Sequence, residues 1–503
     1  METTPEAASP PRDPDAPEYS SRSPRERWFR RPSSVVAQLT IIVFLVELGL
    51  TLNGVPFVSV VTALVCSLHH GYTLPEELTQ GYCAKDAGVM AETNRLLMIN
   101  TVIGSLLTLP LALIFPAAAD IYGRKWIFGF CIFGILINNG WAIVMAHLFP
   151  KVSVDSILLA NIAILLGGGF RVGEALVFTM ISDVSDDRWR TTWFQIAICG
   201  FLLGEVIGAL FGGFLLAKSL WLPLYIGLGF IGTGLAITLL LPETLHVRLR
   251  EPNDQSTPAQ PSPRGFVTKA RKIWRSVKNT FRSLSQRGVY LLVPAASLAI
   301  PISSSALFLM IQALPARYQS NFTGSSRYQA ISALTNLVVF ILILPLLSFL
   351  LRGKPVLERD RILNNGSTLF LIVGMLLIAT APSLAAAIAS LVIFTLGAGV
   401  PGLCRSMIAQ VAENGSIGTL FGLLAVLEQL GFLVFSLSMT ALFQKGIEGG
   451  GGAFLSYPFY FASAVIAVVC VCSWFACPQV PNARPNGEAV EMENLRSRPR
   501  GTE

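Results

Sequence analysis

The chain has 503 residues, 52% of them hydrophobic and only 13% charged, with a net charge of +7. Soluble domains carry roughly 25% charged residues, so this composition excludes an ordinary soluble domain and predicts an integral membrane protein. The length alone would suit about three soluble domains, but here the apolar runs set the organisation, since about 20 apolar residues span a bilayer.

The first 34 residues are polar and Pro-rich, without a short apolar core and cleavage site. They predict a disordered cytosolic tail (1–34), and a first apolar run retained as a signal anchor. Twelve spans follow, near 36–57, 96–118, 126–148, 156–181, 195–217, 221–242, 289–314, 328–350, 364–381, 384–410, 417–443 and 454–477. In span 1 the apolar character continues to about Leu68. Gly54 and Pro56 are expected to break that run, leaving a helical extension on the far side. The pattern predicts an all-α membrane protein of two six-helix bundles, 35–242 and 289–477. A cytosolic central loop, 243–288, joins them, and a disordered cytosolic tail, 478–503, follows.

Charge supports the even count. With both termini inside, 28 of the 37 Lys and Arg fall in inside segments, 7 in outside loops and 2 within spans. This is the positive-inside bias. The sequon Asn321-Phe322-Thr323 falls in an outside loop and predicts a glycan at Asn321. The sequons at Asn365 and Asn414 fall inside or at helix ends. In the central loop, "EPNDQSTPAQPSP" reads as a disordered linker. "RGFVTKARKIWRSVKNTFRSL" reads as a basic amphipathic helix suited to anionic lipid headgroups, with partner binding as the alternative.

The halves show a weak internal repeat. Span 4 has Arg171 after "LLGGGF", and span 10 has Arg405 after "LGAGVPGLC". One span later come Glu205-Val-Ile-Gly208 and Glu428-Gln-Leu-Gly431. Two such halves suit a secondary transporter with parallel repeats.

"AADIYGRK" at 118–125 resembles the loop signature of the major facilitator superfamily between spans 2 and 3, G-x-x-x-D-x-x-G-R-[RK]. Asp120, Gly123, Arg124 and Lys125 match it, while Pro116 stands at the first glycine. "GFLLGEVIGA" at 200–209 resembles the antiporter signature of span 5, G-x-x-x-G-P-x-x-G-G. Gly200, Gly204 and Gly208 match; Glu205 replaces the proline and Ala209 the last glycine. Arg171 resembles the arginine of the span 4 signature, and "LPET" at 241–244 resembles the end of span 6. "VCSLHH", "YCAKD", "GGGFR" and "LEQLG" are similar to a fungal branch of drug and secondary-metabolite exporters. The resemblance covers roughly 35–477. It implies a central cavity opened alternately to each side and proton-driven export of a small organic molecule. It also implies that the Asp120–Lys125 cluster latches the outward-facing state across the halves; the alternative is a charge cluster that only fixes orientation.

In span 5, Gly200, Gly204, Gly208 and Gly212 recur every fourth residue and cover about 120° of the helix, at about 100° per residue. Glu205 borders this stripe and is expected to face protein or a cavity rather than lipid. Small residues allow close helix contact, and a carboxyl in a low-dielectric site suits a proton carrier. The alternative is a glutamate hydrogen-bonded for packing. Glu47 lies near mid-membrane in span 1, and Arg171 and Glu174 are spaced to pair. These three, with Arg405 and Glu428, are candidates for coupling or substrate contact, against static ion pairs. Asn138, Asn139, Asn336 and Gln312 are candidates for substrate contact or helix–helix hydrogen bonds.

Cys66 and Cys83 share an outside loop, an oxidising setting in which a disulfide is plausible. Neither a phosphate-binding G-x-x-x-x-G-K-[ST] loop nor a zinc motif is present in the sequence, so no cofactor, metal or ATP-driven pumping is expected. The reading is a non-enzymatic transporter, a monomer in the plasma membrane. Its expected partners are a small-molecule substrate, protons and lipids, but no nucleic acid. A nutrient importer or uniporter of the same fold is the alternative, and a non-transporting sensor or scaffold the third.

Overall fold

The computed structural model describes residues 32–70, 83, 86–148, 153–185, 190–244, 289–318, 322–411, 417–449 and 452–475. The expected tails, the amphipathic helix of the central loop, Asn321 and Asn414 lie outside the described residues. Every regular element among those described is helical, and twelve segments are long and apolar enough to cross a membrane. We call inner the face holding Pro32, Tyr122 and Trp474, and outer the face holding His70 and Glu448.

Span 1 differs from expectation. It is one unbroken helix, Pro32–His70, of 39 residues. Pro56 forfeits a backbone hydrogen bond, yet the helix continues because Val55, Pro56 and Val58 are packed among neighbours that hold it. Spans 4 and 10 differ in the opposite sense, each being broken inside the membrane. Span 4 is a 3₁₀ segment, Val154–Leu166, followed by an α-helix, Gly169–Val184. Gly168 (φ 81°) and Gly169 (φ 75°) are left-handed, a conformation that glycine adopts without penalty. Gly167 lies against span 3, where a Cβ would land on the Cys131 backbone. Span 10 runs as Leu384–Thr395, a turn over 396–399, and Val400–Val411. A Cβ on Gly397 would stand 2.6 Å from Leu371 N and Ser367 O of span 9. Both Gly-rich runs seen in the sequence are thus breaks, each followed by its arginine.

The two halves repeat one packing scheme. Span 1 packs on spans 5 (Arg190–Leu216) and 6 (Leu222–Leu240), and span 7 (Leu292–Tyr318) packs on spans 11 (Ile417–Glu448) and 12 (Tyr457–Trp474). The halves meet where span 5 lies on span 8 (Phe322–Val338, continued to Leu350) and span 2 (Ala87–Tyr122) on span 11. Apolar side chains form one core in each half. A third core near the outer end joins Val55–Cys66 of span 1 to Ile311 and Phe322 of the second half. Asn94 adds a polar clasp there, donating from Nδ2 to Thr440 O (3.3 Å) and Gln444 Oε1 (3.0 Å).

Candidate functional site

A cavity of about 610 Å³ lies between the halves. Spans 1, 3, 4 and 5 line one side, and spans 7, 8, 9 and 10 the other. Its wall is mainly apolar, with Phe128, Phe170, Phe201 and Phe394 among the rings. Its polar groups include Arg171, Glu174, Glu205, Ser303, Asn336 and Arg405. Such a wall, apolar with a few placed polar groups, and such a volume are typical of small-molecule sites.

The glycine stripe faces span 1. A Cβ on Gly200 would stand 2.6 Å from Thr40 Cγ2. On Gly204 it would be 2.7 Å from Phe44 O and 3.1 Å from Glu47 Cβ, and on Gly208 3.0 Å from Leu48 O. Gly212 is looser, at 3.6 Å from the Leu52 backbone. This close approach brings the backbone beside Glu205 against Glu47. Glu47 is buried and accepts a hydrogen bond from Thr51 Oγ1 at 3.2 Å. Glu205 lines the cavity and has neither an ion pair nor a hydrogen bond among the described residues.

The other charges are paired. Arg171 Nη1 lies 3.2 Å from Glu174 Oε2 within span 4, and Arg405 of span 10 pairs with Glu428 of span 11. The remaining charges that bear on Glu47 are Glu205, Glu174 and Arg171, and Glu174 and Arg171 also act on Arg405. The spacing of Arg171 and Glu174 gave their pairing; the proximity of Glu47 and Glu205 depends on helix register and had no local signal. Asn336 lines the cavity. Asn138 instead donates to Ala160 O at 2.9 Å, and Asn139 to Ile135 O at 2.9 Å. Gln312 is buried in span 7.

At the inner face, Gly123 (φ 102°) ends span 2, and Arg124 starts span 3. The Glu243 carboxylate accepts from Arg124 N (2.9 Å) and Lys125 N (3.3 Å), capping the positive end of that helix. The Arg124 side chain is buried and pairs with Asp183 at the end of span 4. A side chain on Gly123 would collide with Glu243, its Cβ falling 2.6 Å from Oε2. These partners come from span 4 and from Glu243, just beyond span 6. Sequence reading missed Asp183 and Glu243, although "LPET" held Glu243 in plain view. Asp120 sits in the last turn of span 2.

At the outer end, Cys66 and Cys83 form a disulfide. It ties the tip of span 1 to the segment before span 2, where Asp86 caps that span and binds His70 Nε2 at 3.0 Å. Desolvation opposes it, but bonds from Val89, His70 and Gly88 hold the Asp86 carboxyl below its ordinary pKa. No cluster of three or more metal-ligating side chains occurs among the described residues.

Comparison with known proteins agrees with this arrangement. An MFS efflux pump of Emericella nidulans, atnC, is 25% identical over 441 residues, covering 84% of this chain and 83% of its own. An MFS-type transporter of Aspergillus flavus, aprT, is 24% identical over 450 residues, covering 86% of each. The crystal structure of a D-xylose–proton symporter shares the fold with a TM-score of 0.58 at 14% identity, covering 89% of this chain and 99% of its own. The family model for the Major Facilitator Superfamily matches residues 39–436, so with its twelve spans and central cavity the chain belongs to that superfamily of membrane transporters.

Proposed function

We propose that this transporter exports a small amphipathic organic molecule in exchange for protons, with Glu205 as the proton-bearing group and Glu47 supporting it. The observation that carries this reading is the unpaired Glu205 carboxyl in the cavity wall, on the helix whose Gly204 packs against Glu47, near enough for the two acids to act on each other. A carboxylate left without a partner in low dielectric is costly, and such groups mark ion pathways and proton relays. The name of the Emericella nidulans relative, an efflux pump, supports the outward direction. In this reading the protein works as a monomer in the plasma membrane with both termini and the Asp120–Lys125 gating cluster in the cytosol. The two bundles rock about the cavity, and Asn321 carries the glycan.

The test is flux in sealed inside-out vesicles, with and without an imposed pH gradient. Accumulation of substrate driven by an acidic lumen supports proton exchange. Accumulation that ignores the gradient, or loss of substrate from the lumen when it is acidified, refutes it. Mapping a glycan to Asn365 would refute the topology, since Asn365 lies within span 9, Val356–Thr380.

A further inference from the structure

The charges around the cavity are not equivalent. Glu174 is held by Arg171 and Glu428 by Arg405, so these two pairs cancel. Glu205 is left without a partner, and Glu47 takes only a neutral hydroxyl. The elements packed on span 5 bring it no further cation at this depth. Span 6 offers only Tyr225, near its outer end, and span 8 only Arg327 and Tyr328, also near theirs. Span 1 adds Cys66, His69 and His70 at the outer end, and span 4 adds Asp183 at the inner end, paired to Arg124. The opposite wall presents neutral donors and acceptors, Ser303, Ser304, Asn336 and Thr395, beside the tied Arg405. The first-half wall therefore carries one acid, Glu205, beyond its paired charges, while the second-half wall carries neutral groups and one arginine, Arg405, held by Glu428.

We propose that the transported molecule is an amphipathic organic cation, a protonated amine on an apolar body, whose ammonium group sits against Glu205. This rests on the exporter reading above, and linkage supplies the argument. In proton exchange the proton and the ligand must exclude each other, so each must weaken the other's binding. An ionised carboxylate binds an ammonium, and the protonated carboxyl releases it. Binding then follows one balanced step: the protonated Glu205 carboxyl and the ammonium give the carboxylate–ammonium pair and one free proton. An anion reverses the sign, because protonating Glu205 would strengthen its attraction to Arg171 and Arg405, and the two would travel together. The aromatic wall fits the same class through Phe201, since ring faces attract cations; the neighbouring Phe170 ring, 6.0 Å away between centroids, already takes the Arg171 guanidinium. Phe201 stands one helical turn before Glu205, on the same side of span 5.

The experiment uses the purified full chain in weakly buffered detergent. The probes are a panel of about ten apolar tertiary amines of cavity size, each with its neutral N-acyl and its carboxylate counterpart. At least one amine should bind, more weakly by at least tenfold at pH 5 than at pH 8, and release about one proton per molecule bound. Its neutral and carboxylate counterparts should bind at least tenfold more weakly. Glu205→Gln should lose amine binding, while Glu205→Asp, which keeps the charge, should retain it. If no amine binds, if a carboxylate binds as tightly, or if binding takes up a proton, the proposal is overturned. Proton release is read on the unmodified protein, so the result stands even where Glu205→Gln fails to fold. Vesicle flux separates this from the exporter reading. An amine that binds with proton release but does not move with a pH gradient leaves the ligand class intact and defeats the exporter. Gradient-driven flux confined to anions does the reverse.

Discussion

In the second half of the molecule, Arg405 reaches across to Glu428 on the next span. In the first half, Arg171 closes on Glu174 within its own span and leaves the equivalent carboxylate, Glu205, open to the cavity. Both halves place a Gly-rich break just before the arginine and a glutamate three residues before a packing glycine. The difference is one added acid. Glu174 satisfies Arg171 locally, and that frees Glu205 from a structural duty its counterpart still performs. On the proposed reading, the repeated scaffold keeps one ion pair as a brace and uses the other carboxylate as the proton site.

Exchanging the two glutamates for glutamine is the strongest way to break that comparison. Glu205→Gln should lower pH-driven flux at least tenfold, with thermal stability changed by less than about 1 kcal/mol, because no ion pair is lost. Flux in vesicles and a melting curve in detergent read the two effects separately; full pH-driven flux would make Glu205 a packing residue. Glu428→Gln should do the opposite and destabilise first. Removing one member of a buried pair costs about 3–5 kcal/mol, and partial exposure of Arg405 brings this to about 2 kcal/mol. Equal melting temperatures for the two variants would show that the halves do not differ in this way.

The packing glycines sharpen the comparison at a smaller scale. A Cβ on Gly208 would press on the Leu48 carbonyl of span 1, whereas on Gly431 it would meet the end of the Leu298 side chain at 2.7 Å. Backbone does not yield as a leucine tip does. Gly208→Ala should therefore cost about 1–3 kcal/mol and Gly431→Ala less than about 1 kcal/mol. Melting temperatures of the two variants decide it. A small stability effect is expected again for Glu174→Gln. Its ion pair is nearly half exposed, so the loss should stay under about 1 kcal/mol. The freed Arg171 should then turn to Glu205 and hold it ionised, so that flux requires a more acidic outer pH. An unchanged pH profile would mean that Arg171 cannot reach it.

The twelve spans were legible because bilayer thickness imposes a minimum apolar length, and the loop charges fixed which ends go together. Arg171–Glu174 was legible because i, i+3 neighbours meet on any helix. The breaks in spans 4 and 10 were not, because a glycine in a membrane helix reads equally as a packing surface. Gly200, Gly204 and Gly208 are packing surfaces, while Gly168 and Gly169 are breaks; only the φ angles separate them. Pro56 misled in the other direction, since its effect depends on neighbours that the local sequence does not display. Asp183 and Glu243 were missed because their partner, Arg124, lies far away along the chain and meets them only when spans 3, 4 and 6 converge.

Span 1 has the proportions of a lever. At 1.5 Å per residue its 39 residues reach about 58 Å, nearly twice the ~30 Å hydrocarbon core. Its contact with Gly204, beside Glu47, lies well inside that length and can serve as a fulcrum. From there to Cys66 the rod extends about 28 Å, so a tilt of about 10° at the fulcrum displaces its tip by about 5 Å. The disulfide to Cys83 makes the start of the next segment follow that tip. In the proposed rocking of the bundles, a tilt too small to see among the buried helices would be larger at this tip, where a spectroscopic label at the exposed Leu68 would read it.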